Sequence, residues 1–261
     1  MWPRVRDQRL FLTVFGGLLA LTWVALWLWG ESPYGRFLSH EELGHTRGAG
    51  VEYALVVVLF VAAWTLMTVA MMLPTSLPLV ALFRSLVRKR ADRARLVALV
   101  VLGYLAVWTL FGVVAHLFDR VVHDVVEHNG ALAGNAWAIG AATVFFAGGY
   151  QFTPLKKHCL DKCRSPFAFI MQHWRGGRAG GEALRLAVSH GLFCLGCCWS
   201  LMLLMFAVGV GSIPWMLALG SVMAVEKNMP WGGRLTAPLG VLLLGFGAVL
   251  VATRTGLPGT A

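Results

Sequence analysis

Seven apolar stretches, most of them near the length that crosses a lipid bilayer, constrain this chain more than any other feature. They run over about 10–29, 53–82, 96–118, 134–152, 183–208, 213–226 and 236–252. A helix rises about 1.5 Å per residue, so about 20 apolar residues cover a hydrocarbon core of about 30 Å. Composition agrees: 58% of the 261 residues are hydrophobic and 13% charged, against about 25% charged in a soluble domain. Without water, backbone N–H and C=O groups must pair within the chain, and no period-2 barrel pattern is present. The expected fold is therefore all-α, a polytopic transmembrane helix bundle of about seven spans, six full and one short (213–226). Residues 1–261 read as a single integral membrane domain. Pro74 and Pro78 should kink the end of the second span. The first apolar run is too long for the core of a signal peptide, and no small-x-small site follows it, so it reads as a retained anchor.

Charge gives an independent view of the same layout. If the seven spans alternate sides, 18 of the 22 lysines and arginines fall on one side. They cluster at 4–9, 84–95, 156–185 and 227–234, leaving Arg36, Arg47, Arg120 and Arg254 opposite. The positive-inside rule then puts the N-terminus in the cytoplasm and the C-terminus on the periplasmic or extracellular side. The formal net charge of +10 is thus a topology signal with an attraction for anionic lipid headgroups. It does not point to nucleic acid, because the basic residues are dispersed over separate loops.

The fifth span carries the densest chemistry. On a helical wheel, His190, Cys194, Cys197, Cys198, Met202 and Met205 fall within an arc of about 140°. Between the first and last of them the helix rises about 22 Å, most of the hydrocarbon thickness. Thiolates and thioethers select soft ions, Cu(I) first, with zinc the borderline case. Small, apolar cysteines and flexible methionines also serve as core packing, and spacing alone weighs the two readings evenly. In the second span, Met67 and Met71 share a face, and Met71 and Met72 precede Pro74, which frees a backbone carbonyl near them. Glu226 closes the sixth span beside Lys227; an interfacial ion pair is the plainer reading, a proton or metal relay the other.

After the fourth span, Cys159 and Cys163 lie one helical turn apart. They could clamp a linear Cu(I) or supply half of a tetrahedral zinc site. Lys157, Lys162 and Arg164 nearby would favour thiolate, and a structural or redox pair is the alternative. Two weaker patterns lie on the outer side. His116, Asp119, His123 and Glu127 form one stripe, flanked by Asp124 and His128, and the first outer loop holds His40, Glu41, Glu42 and His45. No P-loop, dinucleotide fingerprint, H-E-x-x-H or nucleophile elbow is present, so an ATP-driven pump or a soluble-type enzyme is not expected.

Four segments carry a family resemblance: Met71-Met-Leu-Pro74, Tyr150-Gln-Phe-Thr-Pro-Leu-Lys156 with Cys159 and Cys163-Arg-Ser-Pro166, Cys194-Leu-Gly-Cys-Cys-Trp-Ser-Leu-Met202, and Glu226-Lys-Asn-Met-Pro-Trp-Gly232. Across about 51–251 the chain resembles a bacterial group of predicted metal-binding integral membrane proteins. That group is a domain of unknown function sometimes labelled copper chaperone. The resemblance implies a soft-metal role in the bacterial inner membrane, and the cysteines carry over most securely. The leading expectation is copper, most readily Cu(I), held by Cys194, Cys197, Cys198, Met202 and Met205, with Met71 and Met72 beside them. His190 would be an entry ligand, and Cys159 with Cys163 a hand-off site to a metallochaperone or metalloenzyme. A membrane thiol–disulfide oxidoreductase and a non-catalytic assembly factor are the alternatives. The sequence leaves the oligomeric state open.

Overall fold

The structure is a computed structural model that describes residues 2–32, 51–128, 137–208 and 212–255; among them every regular element is a helix. The elements are α1 (Trp2–Glu31), α2 (Val51–Met71), α3 (Leu77–Leu86), α4 (Arg93–His128) and α5 (Trp137–Tyr150). After them come α6 (Pro154–Arg164), α7 (Pro166–His173), α8 (Ala179–Val208), α9 (Ile213–Asn228) and α10 (Thr236–Thr255). Short 3-10 turns, Pro74–Ser76 and Gly232–Leu235, lead into α3 and α10.

Among the described residues, four helical stretches are long and apolar enough to cross a membrane. They are Arg9–Glu31, Arg93–Val126, Ala179–Phe206 and Gly232–Arg254; α2 and α3, bent by 44° at a short break, make a fifth if they form one span. The expected count of about seven spans, six full and one short, is not confirmed. The expected fourth span corresponds to α5, which has only 14 residues, and the expected short sixth span to α9, which has 16. Local chemistry sets where both of them end. Beyond Tyr150, Thr153 takes an extended conformation and its side chain caps α6 by accepting from the Lys156 amide, with Pro154 in the first turn. Beyond Asn228, Met229 is extended (φ −85°, ψ 142°) because Pro230 follows it.

The break between α2 and α3 is where the proline pair was expected to act. The Ser76 amide reaches back only to the Leu73 carbonyl, which leaves the Met72 carbonyl without its helical donor. Two side chains satisfy it: the Thr75 hydroxyl donates at 2.8 Å and the Tyr104 hydroxyl at 3.3 Å. Pro78 sits in the first turn of α3, where a missing N–H is tolerated.

α8 is the axis of the bundle and packs on α4, α5, α6, α7 and α9. It runs in the same direction as α4: Gly103 lies against Leu184 and Ala187, and Gly191 against Val107. α5 and α10 are antiparallel, with Gly148 against Leu244 and Gly247 against Phe145. Small residues at these crossings let backbones approach closely, as packing between membrane helices favours. Polar contacts join α2 to α4: the Trp64 indole donates to the Trp108 carbonyl at 2.9 Å, and the Thr65 and Thr109 hydroxyls meet at 3.1 Å. Large apolar side chains cover the outside, among them Leu21, Leu110, Val241 and Leu242. That pattern suits lipid better than water.

Candidate soft-metal site

The fifth-span stripe faces the interior. Cys194, Cys197, Cys198, Met202 and Met205 are all at most 1% exposed. Cys194 lies near the middle of α8, about 22 Å along the axis from Ala179. One turn of helix brings both thiols onto a common backbone acceptor. Cys197 Sγ and Cys198 Sγ donate to the Cys194 carbonyl at 3.1 and 2.8 Å.

Side chains from three other helical segments close on this point. At the α2–α3 break, Met72 Sδ lies 3.8 Å from Cys198 Sγ. From α4, the Tyr104 hydroxyl is 3.0 Å from Cys194 Sγ. From α6, Cys163 Sγ lies 4.0 Å from Cys197 Sγ. Cys163 thus adjoins the thiol stripe of α8. Its partner Cys159 is buried beside Gly196, where an added Cβ would stand 2.6 Å from the Cys159 sulfur. The basic neighbours of these two thiols do not set their acidity. Hydrogen bonding to the Cys194 and Cys197 thiols pushes Cys163 above the usual thiol range, and burial pushes Cys159 up.

The remaining expected residues are placed less centrally. His190 Nε2 is 3.2 Å from the Ser76 hydroxyl, and its ring packs against Tyr104 and Phe169. Met71 is buried against α9 at Gly220, while Met202 and Met205 continue the buried core beyond the thiols. On the outer side, His116 is buried and stacks on Phe60 at 4.5 Å between ring centroids. The side chains of His123 and Glu127, and all of His40, Glu41, Glu42 and His45, lie outside the described residues.

Lys227 is the residue the sequence reading misplaced. Its ammonium is buried among the sulfurs, donating to Cys194 Sγ at 2.9 Å, to Thr75 Oγ1 at 3.2 Å and to Cys198 Sγ at 3.6 Å, with Met72 Sδ at 3.9 Å. Glu226 does not pair with it. The Glu226 carboxylate takes Lys156 Nζ at 2.9 and 3.1 Å, and Gln151 Oε1 also accepts from that lysine. Adjacent helical positions differ by about 100° in direction, so two neighbouring side chains seldom share a partner. That spacing was the available signal, together with two charges inside an apolar motif. Arg164 completes the arrangement by donating to the Glu226 and Pro230 carbonyls, which ties α6 to the end of α9.

Among the described residues, no three His, Cys, Asp or Glu side chains are grouped so that they could hold a metal ion. The donors that do converge are thiols with a thioether, a set matched to a soft ion of low coordination number. A family model for PpoB2, described as a copper chaperone, matches residues 61–250. The chain belongs to this copper chaperone family. The PpoB2 match takes in every sulfur named above, together with Lys156, Glu226 and Lys227, and leaves α1 outside it. Comparisons with curated proteins and with solved structures give no match.

Proposed function

We propose that this protein binds Cu(I) within the bacterial inner membrane and passes it to a metallochaperone or a metalloenzyme. The observation that carries this reading is the meeting of Cys194, Cys198 and Met72 sulfurs in one buried pocket, adjoined by the Cys197–Cys163 pair. Two thiolates and a thioether suit Cu(I); zinc would want further hard or borderline donors, whereas the Glu226 carboxylate is taken by Lys156 and His190 Nε2 by Ser76. The family's description as a copper chaperone supports the same cargo.

Seven crossings remain the better topology even though α5 and α9 are short. α4 and α8 run parallel, so the chain has to return between them, and α5 is the apolar helix available to do so. α9 returns the chain between α8 and α10 in the same way. With the basic loops inside, the N-terminus is cytoplasmic and the C-terminus periplasmic. The pocket then lies midway along α8, with Cys159 and Cys163 on the cytoplasmic approach as the hand-off thiols. Met202 and Met205 continue the stripe toward the other face, and His190 stands one turn on the cytoplasmic side of Cys194.

The test is Cu(I) binding by the purified full-length chain in detergent, measured against a chromophoric Cu(I) chelator. The variant Cys194→Ser/Cys197→Ser/Cys198→Ser should lose most of the bound copper. Unchanged stoichiometry in that variant would remove the proposal.

A further inference from the structure

We infer that Lys227 is the specificity-determining residue of the pocket: its ammonium is the built-in counter-charge that fits the site to a monovalent ion. The inference rests on the copper reading above and extends it to the choice among metals.

The starting point is a charged side chain buried with poor company. Lys227 is 6% exposed, and its polar neighbours are two thiol sulfurs, a thioether and one hydroxyl. A buried ammonium is costly unless it is paired with an opposite charge. The adjacent carboxylate is unavailable, because Glu226 is committed to Lys156 at 2.9 Å. The groups within hydrogen-bond reach of Lys227 that can carry negative charge are therefore the Cys194 and Cys198 sulfurs.

Metal binding supplies that charge. Thiols bind metals as thiolates, releasing their protons. Cu(I) held by the Cys194 and Cys198 thiolates leaves one unit of negative charge on the complex. The ammonium already stands 2.9 and 3.6 Å from the two sulfurs and cancels it. The loaded pocket is then neutral, as a site inside a hydrocarbon core needs to be. Met72, 3.8 Å from the Cys198 sulfur, adds a third donor without adding charge. A divalent ion on the same two thiolates would be neutral by itself and would leave the ammonium uncompensated. Cys197 is not among the side chains the ammonium touches: its thiol donates to the Cys194 carbonyl at 3.1 Å and lies 4.0 Å from Cys163. Lys227 thus favours Cu(I), and Ag(I) with it, over Zn(II). Its N–H groups also hydrogen-bond the ligand sulfurs, and groups in that position commonly tune metal affinity by about 10–100-fold.

The experiment compares Cu(I) and Zn(II) affinities of the full-length chain by chelator competition, in wild type, Lys227→Met, Lys227→Arg and Cys194→Ser/Cys198→Ser. Lys227→Met should lower the ratio of Cu(I) to Zn(II) affinity by about tenfold or more, and Lys227→Arg should keep it near the wild-type value. An unchanged ratio, or tighter Cu(I) binding in Lys227→Met, would overturn the inference and make the ammonium a bystander or a competitor. Wild-type protein provides a readout that does not depend on the folding of any variant. Ag(I) should displace Cu(I) from it, and Zn(II) should not; displacement by Zn(II) at comparable concentration would also overturn the inference. Should the Cys194→Ser/Cys198→Ser variant keep its copper, the copper reading itself fails, an outcome separate from the selectivity result.

Discussion

Lys156 Nζ and Glu226 Oε2 stand 2.9 Å apart with both side chains essentially sealed from solvent. The pair joins the start of α6 to the end of α9, on which Lys227 also sits. Since Arg164 holds the backbone of the same turn, the ion pair fixes the depth at which Lys227 enters the sulfur pocket.

Removing one partner of a buried pair leaves the other charge uncompensated and costs about 3–5 kcal/mol. Glu226→Gln should therefore lower the stability of the detergent-solubilised protein by an amount in that range. The double variant Lys156→Met/Glu226→Leu, with no charge left to strand, should recover most of the loss. Chemical unfolding followed by tryptophan fluorescence reads both. Equal destabilisation in the single and double variants would mean that the pair contributes shape rather than charge balance.

Met72 offers a cleaner test of the donor set. Its sulfur lies 3.8 Å from Cys198 Sγ, while Met71 next to it packs on Gly220 of α9. Methionine-to-leucine exchange conserves volume and costs under about 1.5 kcal/mol of stability. Met72→Leu should thus leave unfolding nearly unchanged and weaken Cu(I) binding by about tenfold, equivalent to about 1.4 kcal/mol. Met71→Leu should change neither. Copper affinity measured by chelator competition separates the two neighbours.

Much of this site could be read from periodicity. The inward stripe of Cys194, Cys197, Cys198, Met202 and Met205 follows from about 100° per residue, and the α2–α3 break follows from Pro74. The placement of Cys163, Tyr104 and Lys227 could not be read that way, because each depends on contacts between residues at least 29 positions apart. Lys227 and Lys156 were expected among the basic residues of the cytoplasmic face, and hydropathy has no means of separating a loop lysine from one buried by a partner 70 residues away. The length of α5 was overestimated for a related reason: Phe152 extends the apolar run past Tyr150, where the helix stops ahead of the Thr153 cap and Pro154.

Gly196 controls how closely α6 approaches α8. A Cβ there would meet Cys159 Sγ at 2.6 Å, and the Tyr150 hydroxyl donates to the Gly196 carbonyl on the same turn. Gly196→Ala should force the two helices apart at an overpacking cost of about 1–3 kcal/mol. Adding Cys159→Ala removes the clashing sulfur and should restore most of the stability. If the double variant is no better than Gly196→Ala alone, the strain lies in the backbone turn and not at the α6–α8 contact.

The approach of Cys163 to Cys197 separates metal transfer from thiol–disulfide exchange. Their sulfurs are 4.0 Å apart, whereas Cys194 and Cys198 face the Lys227 ammonium. A disulfide needs its two sulfurs about 2.0 Å apart, a shift of about 2 Å that α6 can supply more readily than two thiols fixed on one α8 backbone. A mild oxidant should therefore form a single intramolecular disulfide between Cys163 and Cys197, leaving Cys194 and Cys198 free to alkylation; peptide mapping by mass spectrometry reads the pairing. A copper carrier in a reducing cytosol has no use for that bond, so Cys163→Ser should keep the Cu(I) stoichiometry of the pocket and slow release to an acceptor chelator. A thiol–disulfide enzyme would instead show the Cys163–Cys197 bond in protein isolated from cells under trapping conditions, and its steady-state oxidation would vanish in Cys163→Ser.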